Sequence, residues 1–228
     1  MTMQKASAHF TESDKQAVAR AISEAESRTS AEIVPIVATA SGRYDRAEDI
    51  VGLLTGLLAL ASGWLFCPAM HPAPAWTANA GSLPADGLIP ALLSVVLGFM
   101  AGSALATRFP ALRLPFIPAA EMDAEVSKAA HSAFASARVR KTTGATGVLL
   151  YVSLYEHRVV ILPDHGITGV PEAAWTTTRD LLIHGLRKNA ATEGLIAAIQ
   201  QCGETLSAPC PPREDDTNEL TNELRFID

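Results

Sequence analysis

This chain has few positively charged residues. Its 228 residues include 18 Lys and Arg against 24 Asp and Glu, which gives a formal net charge of −6 at pH 7. A protein that binds nucleic acid needs a basic surface, because much of its affinity comes from neutralising phosphate charge. The composition therefore argues against a nucleic-acid partner.

Cysteines and histidines are also few and scattered. The three cysteines, Cys67, Cys202 and Cys210, do not make a disulfide framework or a zinc site. None of the six histidines has the spacing of a metal-binding pair on a helix. The motifs G-x-x-x-x-G-K-S/T, G-x-G-x-x-G and G-x-S-x-G are missing as well. From these patterns we expect no metal site and no resident cofactor.

Two long stretches in the middle of the chain contain no charged residue and no histidine. Residues 50–70 read IVGLLTGLLALASGWLFCPAM, and residues 87–107 read GLIPALLSVVLGFMAGSALAT. Each would form a helix of roughly 31 Å, which matches the hydrocarbon thickness of a bilayer. A core helix of a soluble protein has a polar face, and these stretches have none. The sequence therefore predicts an integral membrane protein with two spans.

The arginines that flank the spans predict an orientation. Arg43 and Arg46 precede the first span, Arg108 and Arg113 follow the second, and the loop over 71–86 has no Lys or Arg. Because positive flanks stay in the cytoplasm, we expect both termini there and an external loop. No apolar signal-peptide region precedes the first span. The expected location is a membrane, and the inner membrane if the source is bacterial.

Both spans carry small residues at helical spacing: Gly52, Gly56 and Gly63 in the first, and Gly98 and Gly102 in the second. Such faces let helix backbones approach closely in lipid. We expect the spans to pack on each other as a helical hairpin, and homodimerisation through one of these faces is the alternative. Since neither span contains an ionisable group, the hairpin has no residue for an ion pathway.

The flanking sequence predicts one soluble domain that the hairpin interrupts. Residues 1–46 would be its first part, 47–118 the hairpin with its connectors, and 119–208 its second part. Strands interleaved with helices favour an α/β layer fold. Residues 209–228 are rich in proline and then acidic, and we expect this tail to be disordered.

Local patterns place the elements of this domain. A helix is predicted over 12–28 and a strand over 32–38, in which Pro35 favours an edge strand or a bulge. The second part is predicted to contain a helix over 121–138, a strand hairpin over 148–153 and 158–162, and helices over 171–188 and 192–206. Glu156, His157 and Arg158 are expected to form a solvated hairpin tip.

Residues 143–167, TGATGVLLYVSLYEHRVVILPDHGI, resemble the central segment of the TPM domain family. They contain a G-V-L-L strand, a second strand of the form R-V-x-I, and a D-x-G-I end. The opening helix and the A-E-I-V strand are similar to the start of the same domain. The resemblance covers most of 9–46 and 119–206 and points to the membrane-bound branch, in which a two-span hairpin interrupts the domain. It implies a TPM-like helix/sheet/helix sandwich.

The resemblance also implies possible chemistry. Some TPM proteins are linked to acid phosphatase activity, and others to calcium binding, photosystem repair or membrane-complex assembly. Where the family has a metal-facing loop, this chain has Thr143, Gly144, Ala145 and Thr146, which offer no carboxylate. Calcium or magnesium, possible by resemblance, is therefore disfavoured here. Asp164 matches the family position after the second hairpin strand, although it is also a common type of turn residue. Glu32 joins it as a cleft candidate if its strand end lies nearby.

Three functions from different classes follow. The one we favour is a membrane-anchored scaffold or accessory module that binds a protein partner at the cytoplasmic face. The second is a membrane-anchored, phosphatase-like hydrolase, which would make the protein an enzyme. The third is an assembly or repair factor for a membrane complex, in which the hairpin is the active element.

Overall fold

The structure is a computed structural model that describes residues 4–67, 70, 87–139, 142, 144–212 and 219–228. It divides into two compact units. The hairpin unit comprises Arg43–Pro118, and the sheet unit comprises Gln4–Gly42 with Ala119–Asp228. The described helices are α1 (Glu12–Glu26), α2 (Asp45–Phe66), α3 (Leu88–Arg108), α4 (Ala119–Ser136), α5 (Glu172–Arg187) and α6 (Ala191–Leu206).

A four-stranded sheet is the centre of the sheet unit. Its strands are β1 (Glu32–Ala38), β2 (Gly147–Ser153), β3 (Arg158–Pro163) and β4 (Arg225–Ile227), in the spatial order β3-β2-β1-β4. β1 pairs in parallel with β2 along its whole length, and β2 pairs antiparallel with β3. The two parts of the chain that flank the hairpin unit therefore meet in one sheet, as the sequence predicts.

Helices cover both faces of this sheet. Side chains alternate along each strand, so β1 presents apolar residues to both faces, and each face packs against helices. On one face, Ile33 and Val37 of β1 lie in a core with α1, α5 and α6. On the other face, Val34, Ile36 and Ala38 lie in a second core to which α4 contributes Val126 and Phe134. The mixed α/β class and the helix/sheet/helix sandwich are confirmed.

Local sequence explains where α1 begins. The Thr11 hydroxyl accepts a hydrogen bond from the Asp14 backbone at 3.2 Å, and the Asp14 carboxylate accepts one from the Thr11 backbone at 2.8 Å. This reciprocal pair is a capping box, which satisfies two donors that the first turn leaves open. These hydrogen bonds hold the pKa of the Asp14 carboxyl below its usual value.

β4 corrects the expectation of a disordered tail over 209–228. Arg225–Ile227 pairs in parallel with the end of β1, and Leu224 is buried. The prediction was wrong for these residues because it rested on the average composition of the segment, which is polar and acidic. The short apolar stretch at its end forms a strand only by pairing with β1, which is far away in the sequence. Residues 213–218 of the tail lie outside the described residues.

The same pairing refines the prediction for Pro35. β1 is an internal strand in the sheet order, but β4 pairs only with Ile36–Ala38. At Pro35 the only strand neighbour in the described sheet is β2, so this part of β1 is an edge, where a missing N–H is tolerated.

In the hairpin unit, α2 and α3 are both long and apolar enough to cross a membrane. α2 begins five residues before the predicted span, so its first turn includes the charged residues Asp45 and Glu48. α3 ends at Arg108 and is followed by short 3-10 turns over Pro110–Leu112 and Leu114–Phe116. The predicted external loop over 71–86 lies outside the described residues.

Candidate functional site

Asp164 lies directly after β3 and is almost completely buried, with 5% of its surface exposed. Its Oδ1 accepts hydrogen bonds from the backbone N–H of His165 at 2.8 Å and interacts with the His165 ring Nδ1 at the same distance. Its Oδ2 is buried and has no hydrogen-bond partner among the described residues. A buried carboxylate oxygen in this state is costly to maintain, so Asp164 is a better functional candidate than an ordinary turn residue.

Glu32 opens β1 and is also buried, at 8% exposed. Its Oε1 accepts a hydrogen bond from the backbone N–H of Glu219 at 3.0 Å, so this carboxylate fastens the segment that leads to β4. No local pattern indicates this contact, since the two residues are far apart in the chain.

Asp164 and Glu32 lie at the same end of the sheet, where β1 and β2 begin and β3 ends, but on opposite sides of β2. Glu32 is in register with Gly147 on one side, and the Asp164 N–H donates to the Gly147 carbonyl at 2.8 Å on the other. With neighbouring strands about 4.8 Å apart, the two backbones are separated by roughly 10 Å. The two residues therefore lie at the same end of the sheet, on strands that β2 separates.

The loop before β2 packs closely against the turn that follows Asp164. Gly166 donates its N–H to the Ala145 carbonyl at 2.9 Å, and a Cβ at Gly166 would collide with the carbonyl of Gly144. The Thr146 hydroxyl donates to the Ser30 carbonyl at 3.0 Å, and the Thr142 hydroxyl accepts from the Thr146 N–H. The described loop hydroxyls are thus engaged within the protein, and Thr143 lies outside the described residues.

The described part of the chain contains no group of three or more His, Cys, Asp or Glu residues placed to hold a metal ion. Asp164 and Glu32 would each supply carboxylate oxygen, the ligand type that calcium and magnesium prefer. A calcium ion takes six to eight oxygens, whereas the backbones that carry these two groups are on different sides of Gly147.

A second polar cluster lies at the opposite end of the strands and was missed in the sequence. Glu156, expected at a solvated tip, is only 3% exposed. Its Oε1 accepts backbone N–H groups from Ser41 at 2.9 Å and Gly42 at 3.2 Å, and its Oε2 accepts the Ser153 hydroxyl in a very short hydrogen bond. The prediction was wrong because the turn after β2 packs against the residues that follow β1. This contact joins residues that are far apart in the chain, so the local sequence does not indicate it.

Tyr151 and Ser41 complete this Glu156 cluster. The Ser41 hydroxyl lies 3.0 Å from the Tyr151 hydroxyl and donates to the Ser153 hydroxyl at 2.8 Å. Burial raises the pKa of Tyr151, and the hydrogen bond between its hydroxyl and that of Ser41 opposes that rise. The phenol therefore stays neutral to higher pH than a free tyrosine. Because these groups hydrogen-bond to one another, the cluster fastens the chain at the end of β1. Of the other two residues of the expected tip, His157 is exposed, whereas Arg158 is half-buried and donates to Asp123 at 2.6 Å.

The glycines of the apolar stretches lie between α2 and α3. A Cβ at Gly98 would come within 2.8 Å of the Gly56 Cα, and one at Gly102 would come within 3.0 Å of the Gly52 Cα. These four glycines therefore allow the two helices to pack backbone to backbone. Gly63 instead faces the Met70 side chain.

The flanking arginines occupy the end of the hairpin unit where α2 begins and α3 ends. Arg43, Arg46 and Arg108 are exposed. Arg113 is buried, and it donates to the Glu48 carboxylate and to the Arg43 carbonyl at 3.4 Å. The Thr107 hydroxyl donates to the other Glu48 oxygen at 3.2 Å, so one carboxylate joins the start of α2, the end of α3 and the connector.

Comparison with known proteins identifies the domain. Residues 117–205 match the family model described as TPM domain. The chain is also similar to the BA42 protein from the psychrophilic bacterium Bizionia argentinensis, whose structure was solved by NMR, with a TM-score of 0.55 and 19% identity. That similarity covers 95% of this chain and 94% of the other. No curated protein gave a significant match. Residues 117–205 therefore match a TPM domain, which confirms the resemblance seen in this part of the sequence, while the likeness to BA42 supports the fold alone.

Proposed function

We propose that this protein is a membrane-anchored TPM-domain protein whose sheet unit acts as a scaffold or accessory module for a protein partner at the cytoplasmic face. Membrane anchoring is supported above all by the exposure of apolar side chains on α2 and α3. Only 11% of the most apolar window of α2 and 6% of that of α3 are buried, whereas a core helix would be mostly buried. Large apolar residues exposed by about half or more include Leu53, Leu58, Leu65, Phe66, Leu92, Leu97 and Met100.

The orientation rests on the flanks of the hairpin unit. Arg43, Arg46 and Arg108 are exposed at its one described end, where positive charge favours the cytoplasm. Phe109, Leu112 and Leu114 in the connector are each exposed by more than a third, and such residues suit the membrane interface. With the sheet unit formed from both flanking segments, both termini would be cytoplasmic.

An accessory role is favoured over catalysis because the best chemical candidates are already engaged or separated. The Glu156 carboxylate accepts hydrogen bonds from three groups within the sheet unit. Asp164 and Glu32 lie on strands that β2 separates, and the described residues contain no group of three or more His, Cys, Asp or Glu placed to hold a metal ion. These observations favour the accessory role over the hydrolase.

The topology is tested by cysteine labelling in intact cells. A cysteine at Ser82, in a background where Cys67 is serine, should react with an impermeant maleimide added from outside. Cys202 is not a useful internal control, because it is fully buried and burial raises its thiol pKa to about 12, so it is unreactive on either side. A cysteine at Ser132, an exposed position on α4, should react only after the cells are permeabilised. The reverse pattern would refute the orientation.

The partner is sought by affinity capture of the full-length protein from detergent-solubilised membranes, followed by mass spectrometry. The accessory role predicts one protein recovered in stoichiometric amount. Capture that depends on the sheet unit supports the scaffold, whereas capture by the hairpin unit alone would favour the assembly factor.

The chemistry is tested on the same protein by calcium and magnesium calorimetry and by hydrolysis of p-nitrophenyl phosphate. We expect no dissociation constant in the micromolar range and no turnover, because Asp164 provides one carboxylate and the described loop provides none. Asp180→Ala, at an exposed position on α5, is the matched control. Turnover or micromolar binding that Asp164→Ala abolishes and Asp180→Ala preserves would establish the hydrolase in place of the accessory role.

A further inference from the structure

The turn that follows β3 places an exposed histidine against the buried carboxylate of Asp164. The His165 ring Nδ1 lies 2.8 Å from Asp164 Oδ1, and 81% of the His165 side chain is exposed, against 3% of the Asp164 side chain. An ionised carboxylate accepts hydrogen bonds and has no proton to donate, so the proton of this bond is on Nδ1. The other ring nitrogen, Nε2, is therefore unprotonated in the neutral ring and has a free electron pair.

The Asp164 carboxylate depends on this ring for a positive counter-charge. Among the residues that the structure describes, His165 is the one ion-pair partner of Asp164. Asp164 Oδ2 is buried and has no hydrogen-bond partner in the same part of the chain. Because a buried charge is poorly screened, this carboxylate stabilises a positive charge on the imidazole more than a solvated carboxylate would. A reaction in which Nε2 forms a new bond and the ring becomes cationic is thus favoured here.

Two other exposed histidines show what is particular to His165. The His131 Nδ1 lies 2.7 Å from the Ser127 carbonyl oxygen, and the His157 Nδ1 lies 2.8 Å from the Leu154 carbonyl oxygen. A carbonyl oxygen also accepts without donating, so all three rings carry a proton on Nδ1. Of these three rings, only that of His165 has a carboxylate as its acceptor. The rings therefore share their proton position and their exposure, and they differ in the charge beside Nδ1.

The same turn limits the kind of group that Nε2 can attack. The N–H groups of His165 and Ile167 donate to Asp164, at 2.8 Å and 3.1 Å, and that of Gly166 donates to the Ala145 carbonyl at 2.9 Å. These donors are not free to form an oxyanion hole, on which acyl transfer depends. A nitrogen that acts as the nucleophile cannot at the same time protonate a departing alkoxide. A phosphoryl group on an already protonated nitrogen needs neither, because its leaving group departs as a neutral amine.

We propose that His165 is a phosphoryl-acceptor site positioned by Asp164, and that its donor is a phosphoramidate, a compound with a P–N bond. Nε2 attacks phosphorus and forms a new N–P bond. The P–N bond of the donor breaks, and the protonated donor nitrogen takes the bonding electron pair and leaves as a neutral amine. The ring keeps its Nδ1 proton and carries a positive charge beside Asp164. The product is a phosphohistidine, so the inference goes beyond the accessory function by giving the sheet unit a covalent, charge-changing modification.

The test uses the full-length protein in detergent, with potassium phosphoramidate as the phosphoryl donor. The rate of phosphorylation of each histidine is followed by mass spectrometry of peptides kept at alkaline pH, where the N–P bond survives. Phosphorus NMR distinguishes Nε2 from Nδ1 as the modified atom. Asp164→Asn removes the charge and keeps an acceptor oxygen, His165→Gln removes the acceptor site, and His157→Gln, at an exposed position, is the matched control.

We expect His165 of the wild type to be phosphorylated on Nε2 about tenfold faster than His131 or His157, because a charge-assisted hydrogen bond stabilises the cationic ring. Asp164→Asn should lower the His165 rate to that of His157 and leave the His157 rate unchanged. Because His157 is measured in the same molecules, it shows whether a change is specific to His165. His165→Gln should remove the fast-reacting site, whereas His157→Gln should leave the His165 rate as it is.

A His165 rate in the wild type that is no faster than the His157 rate would overturn the proposal, and this comparison needs no variant. An unchanged His165 rate in Asp164→Asn would overturn it as well, because the carboxylate would then have no part in the reaction. Phosphorylation of His165 by p-nitrophenyl phosphate at a similar rate would overturn the P–N donor in favour of the hydrolase. The membrane partner takes no part in these measurements, so the accessory role stands or fails independently of them.

Discussion

A chain in which a short Gly/Ser linker joins Gly42 directly to Ala119 should fold cooperatively and stay in solution without detergent. The reason is that the sheet unit is compact by itself, with its strands and both cores made from Gln4–Gly42 and Ala119–Asp228. Removing Arg43–Pro118 takes away the exposed apolar helices and leaves every strand pairing in place.

The converse experiment should give an unfolded chain. Residues 119–228 alone lack β1, all seven residues of which are buried and which pairs with both β2 and β4. Ile33, Val34, Ile36 and Val37 would be lost from the two cores, at about 1.5–3 kcal/mol for each buried side chain. The total, roughly 6–12 kcal/mol, is comparable to the whole stability of a typical domain.

Both chains are compared by thermal melting monitored with circular dichroism and by the dispersion of amide signals in NMR. Val37→Asp in the linked chain is the control, since an unpaired carboxylate at a fully buried position should unfold it as well. A linked chain without a cooperative transition, or a folded 119–228 fragment, would contradict the view that the hairpin interrupts a single domain.

The regular elements were predictable because their signals are local. β1 is a run of β-branched residues whose observed bounds equal the predicted ones, and the bounds of β2, β3, α1 and α4–α6 lie within two residues of their predicted ends. Two features could not be predicted, because each depends on a contact between distant parts of the chain. β4 needs the open edge of β1, and the burial of Glu156 needs the backbone of Ser41 and Gly42.

The candidate site was predictable in part for the same reason. The resemblance picked out Asp164, and its burial could not be read from a turn sequence that is usually exposed. Glu32 was a candidate only if the end of its strand lay near Asp164. The register that puts β2 between the two residues depends on the pairing of strands from different parts of the chain, so the sequence could not supply it.

Glu156→Ala should lower the free energy of unfolding of the sheet unit by about 3 kcal/mol or more. The substitution removes a buried carboxylate that accepts the Ser41 and Gly42 N–H groups and the Ser153 hydroxyl. Hydrogen bonds to a charged group are stronger than neutral ones, and the donors left behind in a buried place lose their partner without regaining water. The loss of stability should be largest in the segment around Ser41, which follows the end of β1.

The measurement is urea unfolding of the linked chain, with hydrogen exchange at the Ser41 and Gly42 amides as a local readout. Glu156→Gln keeps an acceptor oxygen and the side-chain shape, so it should lose less stability than the alanine variant. Glu204→Ala, which removes an exposed carboxylate on α6, should change stability by less than about 0.5 kcal/mol. If Glu156→Ala behaves like Glu204→Ala and the two amides exchange no faster, then Glu156 does not fasten the end of β1. An intermediate value for Glu156→Gln, together with faster exchange confined to Ser41 and Gly42 in the alanine variant, would assign the loss to these hydrogen bonds, because a general weakening of the core would speed exchange throughout the sheet.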